Sequence, residues 1–218
     1  MQELYTPNSA VASTDETSKV LRSTYALLAM TFLFSTVTAG ISIAVNVPHM
    51  GLWALAPYFL FLWLTEKNKN SSMGLVWVFA LTGWLGFTIG PFIAMVSATA
   101  GIKPILMSLG GTALIFFGLS GYVLTTRKDL SFMSGFLVVG LLVAFIAGIA
   151  NVFLQIQGMQ LAVSCMFLLL SSGVVAWYTS VIIHGGETNY ISATVTLFVA
   201  IYNIFTSLLS LFMSFGDD

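Results

Sequence analysis

Charge is the scarcest property of this sequence. Only 7% of its 218 residues are Asp, Glu, Lys or Arg, whereas 58% are hydrophobic. Soluble domains carry roughly 25% charged residues, and a water-facing surface cannot be covered with so few. Lipid is therefore the solvent for most of this chain. Seven basic and eight acidic residues nearly cancel, which gives nucleic acid no electrostatic hold. Cysteine is almost missing as well. Cys165 stands alone inside an apolar run, which excludes an intrachain disulfide framework. No HExxH motif is present for a zinc protease.

Long apolar runs separated by short polar breaks fill most of the chain. A helix needs roughly 20 apolar residues to cross about 30 Å of hydrocarbon. Runs that approach this length are 24–45, 50–65, 73–98, 104–124, 131–154, 159–183 and 191–215. The second is the shortest and contains Pro57. Residues 1–18 are different: rich in Ser, Thr, Asp and Glu, they lack the apolar surface to offset ordering entropy and read as a disordered tail. Lys19 and Arg22 precede a first run too long for a cleaved signal, so it reads as a retained anchor.

Basic residues orient the runs. With seven crossings and the N-terminus inside, Lys19, Arg22, Lys67, Lys69, Arg127 and Lys128 are cytoplasmic and only Lys103 is outside. That asymmetry satisfies the positive-inside rule, and leaving out the second crossing would put Lys67 and Lys69 on the wrong side. The expected architecture is an all-α integral membrane protein, a seven-helix transmembrane bundle over 19–218. Its N-terminus is cytoplasmic and its C-terminus periplasmic. The breaks are too short to hold a further domain. Trp53, Trp63, Trp77, Trp177 and Tyr190 mostly fall near span ends, as interfacial aromatic residues do.

No Asp, Glu, Lys or Arg lies inside any of the seven runs. Intramembrane ionisable groups mark proton relays and ion paths, so their absence argues against proton-coupled transport. The last run offers no lysine for a retinal Schiff base, and no run holds paired aspartates or a histidine to activate a serine. Neither catalysis nor a cofactor or metal is expected. Polar side chains do recur at helical spacing. Ser164, Ser171 and Tyr178 share one face of the sixth run, and Thr196, Asn203, Ser207 and Ser210 share one face of the seventh. Asn151 and Gln155 lie near the end of the fifth. Such groups turn inward, either as interhelical hydrogen bonds or as the lining of a polar pathway. Gly86 and Gly90 form a small-xxx-small pair for close helix approach. His184-Gly185-Gly186-Glu187 breaks the last two runs; the glycines suit a helix end, and His184 with Glu187 are too few ligands to hold a metal.

Three stretches together carry a resemblance: YVLTTRKDLSFMSGFL at 122–137, IIHGGETNYISATVTLF at 182–198 and IYNIF at 201–205. In these the chain resembles the Bax inhibitor-1 family, and within it the bacterial YccA branch described as modulators of the membrane protease FtsH. The resemblance covers the chain from Lys19 onward. It implies an inner-membrane protein of seven helices, the last surrounded by the others. It also implies FtsH as partner, gripping the cytoplasmic tail while the bundle resists extraction. The wider family is also described as pH-sensitive calcium leak channels built on two aspartates in the last two helices. Aligned on IIHGG and YNIF, those positions are Tyr178 and Ala200 here. The alternative function is thus a leak for calcium or another ion without the paired aspartate gate.

Overall fold

The computed structural model describes residues 8–215, and every regular element among them is helical. The helices are α1 (Asn8–Ala44), α2 (Leu55–Asn68), α3 (Ser72–Thr99), α4 (Lys103–Thr126), α5 (Ser134–Leu154), α6 (Gln157–Ile183) and α7 (Tyr190–Phe215). Short 3-10 turns at Gly51–Ala54 and Ser131–Met133 precede α2 and α5. Among the described residues six helices are long and apolar enough to cross a membrane, and α2 is the exception.

Two expectations change. The second span was read as 50–65, but α2 has 14 residues and runs on to Asn68. At 1.5 Å per residue it is about 21 Å long, short of the ~30 Å of hydrocarbon. Pro57 accounts for the late start, because its ring would clash with the carbonyl four residues earlier in an α-helix; that stretch is the 3-10 turn instead. The longer C-terminal end brings Glu66 and Lys67 into the helix. The segment read as a disordered tail is helical from Asn8 onward, and residues 1–7 lie outside the described residues. No Gly or Pro occurs between Asn8 and Ala39. Once the apolar span supplies a helix nucleus, each added residue gains a hydrogen bond without a new nucleation cost.

The packing of α3 on α1 sets the order of the bundle. A Cβ on Gly83 would meet the ring of Phe34, and one on Gly86 would meet the Ser35 carbonyl. On Gly90 it would stand 2.8 Å from Ser42 Cβ and 2.9 Å from the Ala39 carbonyl. Residue numbers climb together along both helices, so α1 and α3 are parallel. Between two parallel neighbours the chain must return, and α2 makes that return. Its start is deep: Trp84 Nε1, about 18 Å from the beginning of α3, donates to the Ala54 carbonyl at 3.0 Å. The link 45–54 thus descends from the end of α1 to about mid-height on α3.

Helix α7 is the centre. It packs against α1, α2, α3, α4 and α6, and Ala193, Thr194, Leu197, Ile204 and Leu209 on it are wholly buried. Helix α5 packs on α6 and presents Val138, Val139, Leu142, Val143 and Ile146 outward, as a lipid-facing helix must.

The glycines separate into two kinds, and this is testable. Gly110, Gly118 and Gly121 of α4 have open space where a Cβ would go. Gly86→Ala forces α1 from α3 and is expected to cost about 1–3 kcal/mol, lowering the thermal unfolding midpoint in detergent. Gly118→Ala should leave that midpoint unchanged or raise it slightly.

Candidate functional site

One end of the bundle gathers three connections: residues 69–71, 127–133 and 184–189. The α6 end is stopped by the quoted glycines. Gly185 adopts φ +74°, its N–H bonds the Ile182 carbonyl at 3.1 Å, and the Gly186 N–H bonds the Val181 carbonyl at 2.9 Å. This pairing is the Schellman arrangement, which uses glycine for its left-handed residue. It turns the chain so that Glu187 comes back over α6. Tyr178 Oη donates to Glu187 Oε2 at 2.8 Å, and the Asn189 N–H donates to Glu187 Oε1 at 2.8 Å. Thr196 stands beside the same Tyr178 hydroxyl.

Asn189 is the hub of this end. Its Oδ1 accepts from the N–H groups of Ile191 at 2.9 Å and Ser192 at 3.3 Å, capping α7. Its Nδ2 donates to the Lys69 carbonyl at 3.0 Å and to Asn70 Oδ1 at 2.9 Å. Glu66 completes the link between α2 and α7: Oε1 accepts from Ser192 Oγ at 2.9 Å, and Oε2 pairs with Lys69 Nζ at 3.0 Å. That carboxylate holds the Lys69 ammonium above its ordinary pKa. The third connection is tied by Ser180, whose Oγ donates to the Lys128 carbonyl at 2.9 Å and accepts from the Leu130 N–H at 3.1 Å. Asp129 stays below the usual carboxylate range because Ser131 donates to it twice. The result is a clasp, with each oxygen of Glu66 and Glu187 matched to a donor, and such charge-assisted bonds are the strong ones.

Of the residues singled out from the sequence, the structure unites Tyr178, Thr196 and Glu187, with His184 alongside. His184 Nδ1 lies 2.8 Å from the Ser180 carbonyl, so it closes the helix end. Asn151 belongs to the other end, where Nδ2 donates to Gln160 Oε1 at 3.2 Å and Oδ1 accepts from the Ile156 N–H at 3.1 Å. Gln160 and Tyr178 are separated by about 27 Å along α6. Between them Ser171 is buried with its hydroxyl unpartnered. Ser207 is buried on α7, and Asn203 accepts only through its carbonyl, from Thr206. Ser164 reaches Ser210 at 3.3 Å. These groups form two end clusters and isolated hydroxyls rather than a continuous path. Ala200, at the second family aspartate position, is buried. No cluster of three or more His, Cys, Asp or Glu exists among the described residues.

Glu66, Ser180 and Asn189 were missed in the sequence. Asn189 carried a local signal, an Asx residue directly before an apolar run, which is a helix cap pattern. Beyond the i,i+3 spacing of Glu66 and Lys69, nothing local pointed to the bonds of Glu66 to Ser192 and of Ser180 to Lys128, whose partners are 126 and 52 residues apart.

Known proteins are similar to this chain along most of its length. The family model described as inhibitor of apoptosis-promoting Bax1 matches residues 17–217. An uncharacterized protein of Pseudomonas aeruginosa is 48% identical, covering 100% of this chain and 99% of its own. A protein of Escherichia coli K12 named modulator of FtsH protease YccA is 49% identical over 196 residues, 89% of this chain and 90% of its own. An uncharacterized membrane protein of Vibrio cholerae is 40% identical over 95% of each.

Removing the hub of the clasp should be costly in a specific order. Asn189→Ala loses the cap and both links to 69–70 and is expected to destabilise by about 1–2 kcal/mol. Asn189→Asp keeps the cap, loses the donor and should fall between Asn189→Ala and the unchanged chain. Asn70→Ala, on an exposed residue, should stay within about 0.5 kcal/mol of the unchanged chain. Thermal unfolding of the three variants in one detergent gives the ranking.

Proposed function

The chain belongs to the Bax inhibitor-1 family, and from that premise we propose that it is a non-catalytic inner-membrane partner of the ATP-dependent protease FtsH. The carrying observation is the 49% identity, over nine-tenths of both chains, to the Escherichia coli protein named for that modulation. In this reading the bundle crosses the membrane seven times with a cytoplasmic N-terminus and a periplasmic C-terminus. Three features support it. The parallel course of α1 and α3 calls for a return through α2. The clasp joins the 69–71, 127–133 and 184–189 connections at one end, so all three lie on one face. That face carries Lys67, Lys69, Arg127 and Lys128, and Lys19 and Arg22 at the start of α1 share it, while Lys103 is opposite.

The N-terminal segment is the proposed handle. Helix α1 has 37 residues and measures about 55 Å, against ~30 Å of hydrocarbon. Its first turns, with Asp15, Glu16 and Lys19, therefore extend beyond the bilayer. A protease that pulls on a protruding end would load α1 first. Helix α1 is also the helix held at backbone contact by Gly86 and Gly90, and against α7 by the stacked rings of Phe32 and Phe198, whose centroids are 4.7 Å apart. Grip and resistance meet on one element, which is how a bundle occupies a protease without being quickly consumed.

Two variants separate handle from anchor. A chain lacking residues 1–18 should no longer co-purify with FtsH or slow its degradation of another membrane substrate. Gly86→Leu should still bind yet be degraded several-fold faster. Undiminished interference by the shortened chain would overturn the handle, and an unchanged lifetime for Gly86→Leu would overturn the anchor.

A further inference from the structure

Away from the clasp, α1, α3, α4 and α7 enclose a cavity of about 530 Å³, within the range of small-molecule sites. On α1 it extends from Tyr25 to Ala39, about 21 Å along the helix axis. The shape is therefore a long slot. Helices α1 and α4 meet through the rings of Tyr25 and Phe116, 5.7 Å between centroids, and both line the slot. The gap opens sideways between Ala29 of α1 and Ala113 and Phe117 of α4, all exposed. The wall opposite is Phe198, Ile201 and Phe205 of α7. A slot with aromatic and aliphatic walls that opens at hydrocarbon depth can exchange its contents only with lipid.

Its Tyr25 end is chemically different. The Tyr25 hydroxyl, on the slot lining, is buried with no hydrogen-bond partner, and outside the lining so are the hydroxyls of its neighbour Thr24 and of Ser120, one turn from Phe116 on α4. Buried hydroxyls normally have partners, so the unpaired Tyr25 hydroxyl at one end of an apolar slot calls for an acceptor. One turn outward from Tyr25, on the same helical face, lies the exposed Arg22. Arg127, exposed and in the left-handed region at φ +49°, ends α4 on the stripe that carries Ser120. Among the described residues, the Lys69–Glu66 bond is the one ion pair, so neither arginine is paired with a described carboxylate. Apolar slot, unpaired hydroxyls and arginines follow one another toward the membrane surface. A phospholipid has acyl chain, ester carbonyl and phosphate in that same order.

We infer that this slot binds one anionic phospholipid, with an acyl chain between α1 and α4, the ester carbonyls at Tyr25 and the phosphate at Arg22 and Arg127. The site is independent of FtsH. The lipid would fill the seam between α1 and α4 past the Tyr25–Phe116 contact, bracing α1 beside its contact with α3.

The full chain, purified in mild detergent from vesicles of phosphatidylethanolamine and phosphatidylglycerol, tests this by native mass spectrometry. The expected result is one retained phospholipid per chain, enriched in phosphatidylglycerol. Ala29→Phe with Ala113→Phe fills the slot from two exposed rim positions and should abolish retention. Leu114→Phe, an exposed neighbour outside the slot lining, should not. Arg22→Gln should keep a lipid but lose the enrichment. Each variant is first checked for an unchanged elution volume and melting midpoint. A second readout is the motionally restricted fraction of a chain-labelled nitroxide phosphatidylglycerol in the same vesicles, which should vanish in the filled variant. No retained lipid in the unchanged chain, equal retention in the filled variant, or retention of added oleate in place of phospholipid would each overturn the assignment.

Discussion

The backbone contact of α3 with α1 at Gly86 and Gly90 governs the rest of the bundle. Any larger residue at Gly86 would press on the Ser35 carbonyl, so the two helices are in backbone contact there. In lipid, where burying apolar surface between helices brings little gain, such contact is a principal source of association. It also has a topological consequence. Two parallel helices in direct contact leave the intervening chain one course, back along their side. A 14-residue helix that starts at the depth of Trp84 takes that course, because α2 needs only to reach the level of Asn68 to rejoin α3.

Helix α7 then fills the space the other helices leave, and polar chemistry is moved to its ends. At the Tyr190 end the clasp of Glu66, Tyr178, Glu187 and Asn189 satisfies both carboxylates and caps the helix. At the other end Ser164 and Ser210 link α6 to α7. Between the two ends Leu197, Phe198 and Ile204 of α7 are almost fully buried, and Asn203 and Ser207 are isolated polar groups among them. A polar group in such a place needs a partner in the bundle, and segregating the carboxylates to the ends removes the requirement for them.

Much of this was legible in the sequence for one reason: apolar length is a direct measure of bilayer thickness. The runs that became α1, α3, α4, α5, α6 and α7 announce themselves by that length. Helix α2 did not, since its extent depends on Pro57 locally and on α1–α3 packing remotely. Charge distribution alone argued for its return course. The polar stripe was half legible. Spacing placed Ser171, Tyr178, Thr196 and Ser207 on inward faces, but spacing carries no information about depth. It therefore grouped Asn151 with residues about 27 Å away along α6. The bonds of Glu66 to Ser192 and of Ser180 to Lys128 were invisible because those partners are distant in sequence. The helical continuation of α1 through 8–18 was hidden by composition, as polar residues without Gly or Pro extend an existing helix readily.

In the proposed reading, handle, clasp and parallel α1–α3 pair put the working face of this protein at one end of the bundle, the end that would face the cytoplasm. Site-specific photo-crosslinking in cells tests that claim most directly. A photoreactive residue at Val11 on the extension of α1, at Asn70 beside the clasp, and at Ile156 at the opposite end would be compared in the full chain. The account predicts an FtsH adduct from Val11, a weaker one from Asn70 and none from Ile156. An adduct from Ile156 with none from Val11 would contradict it.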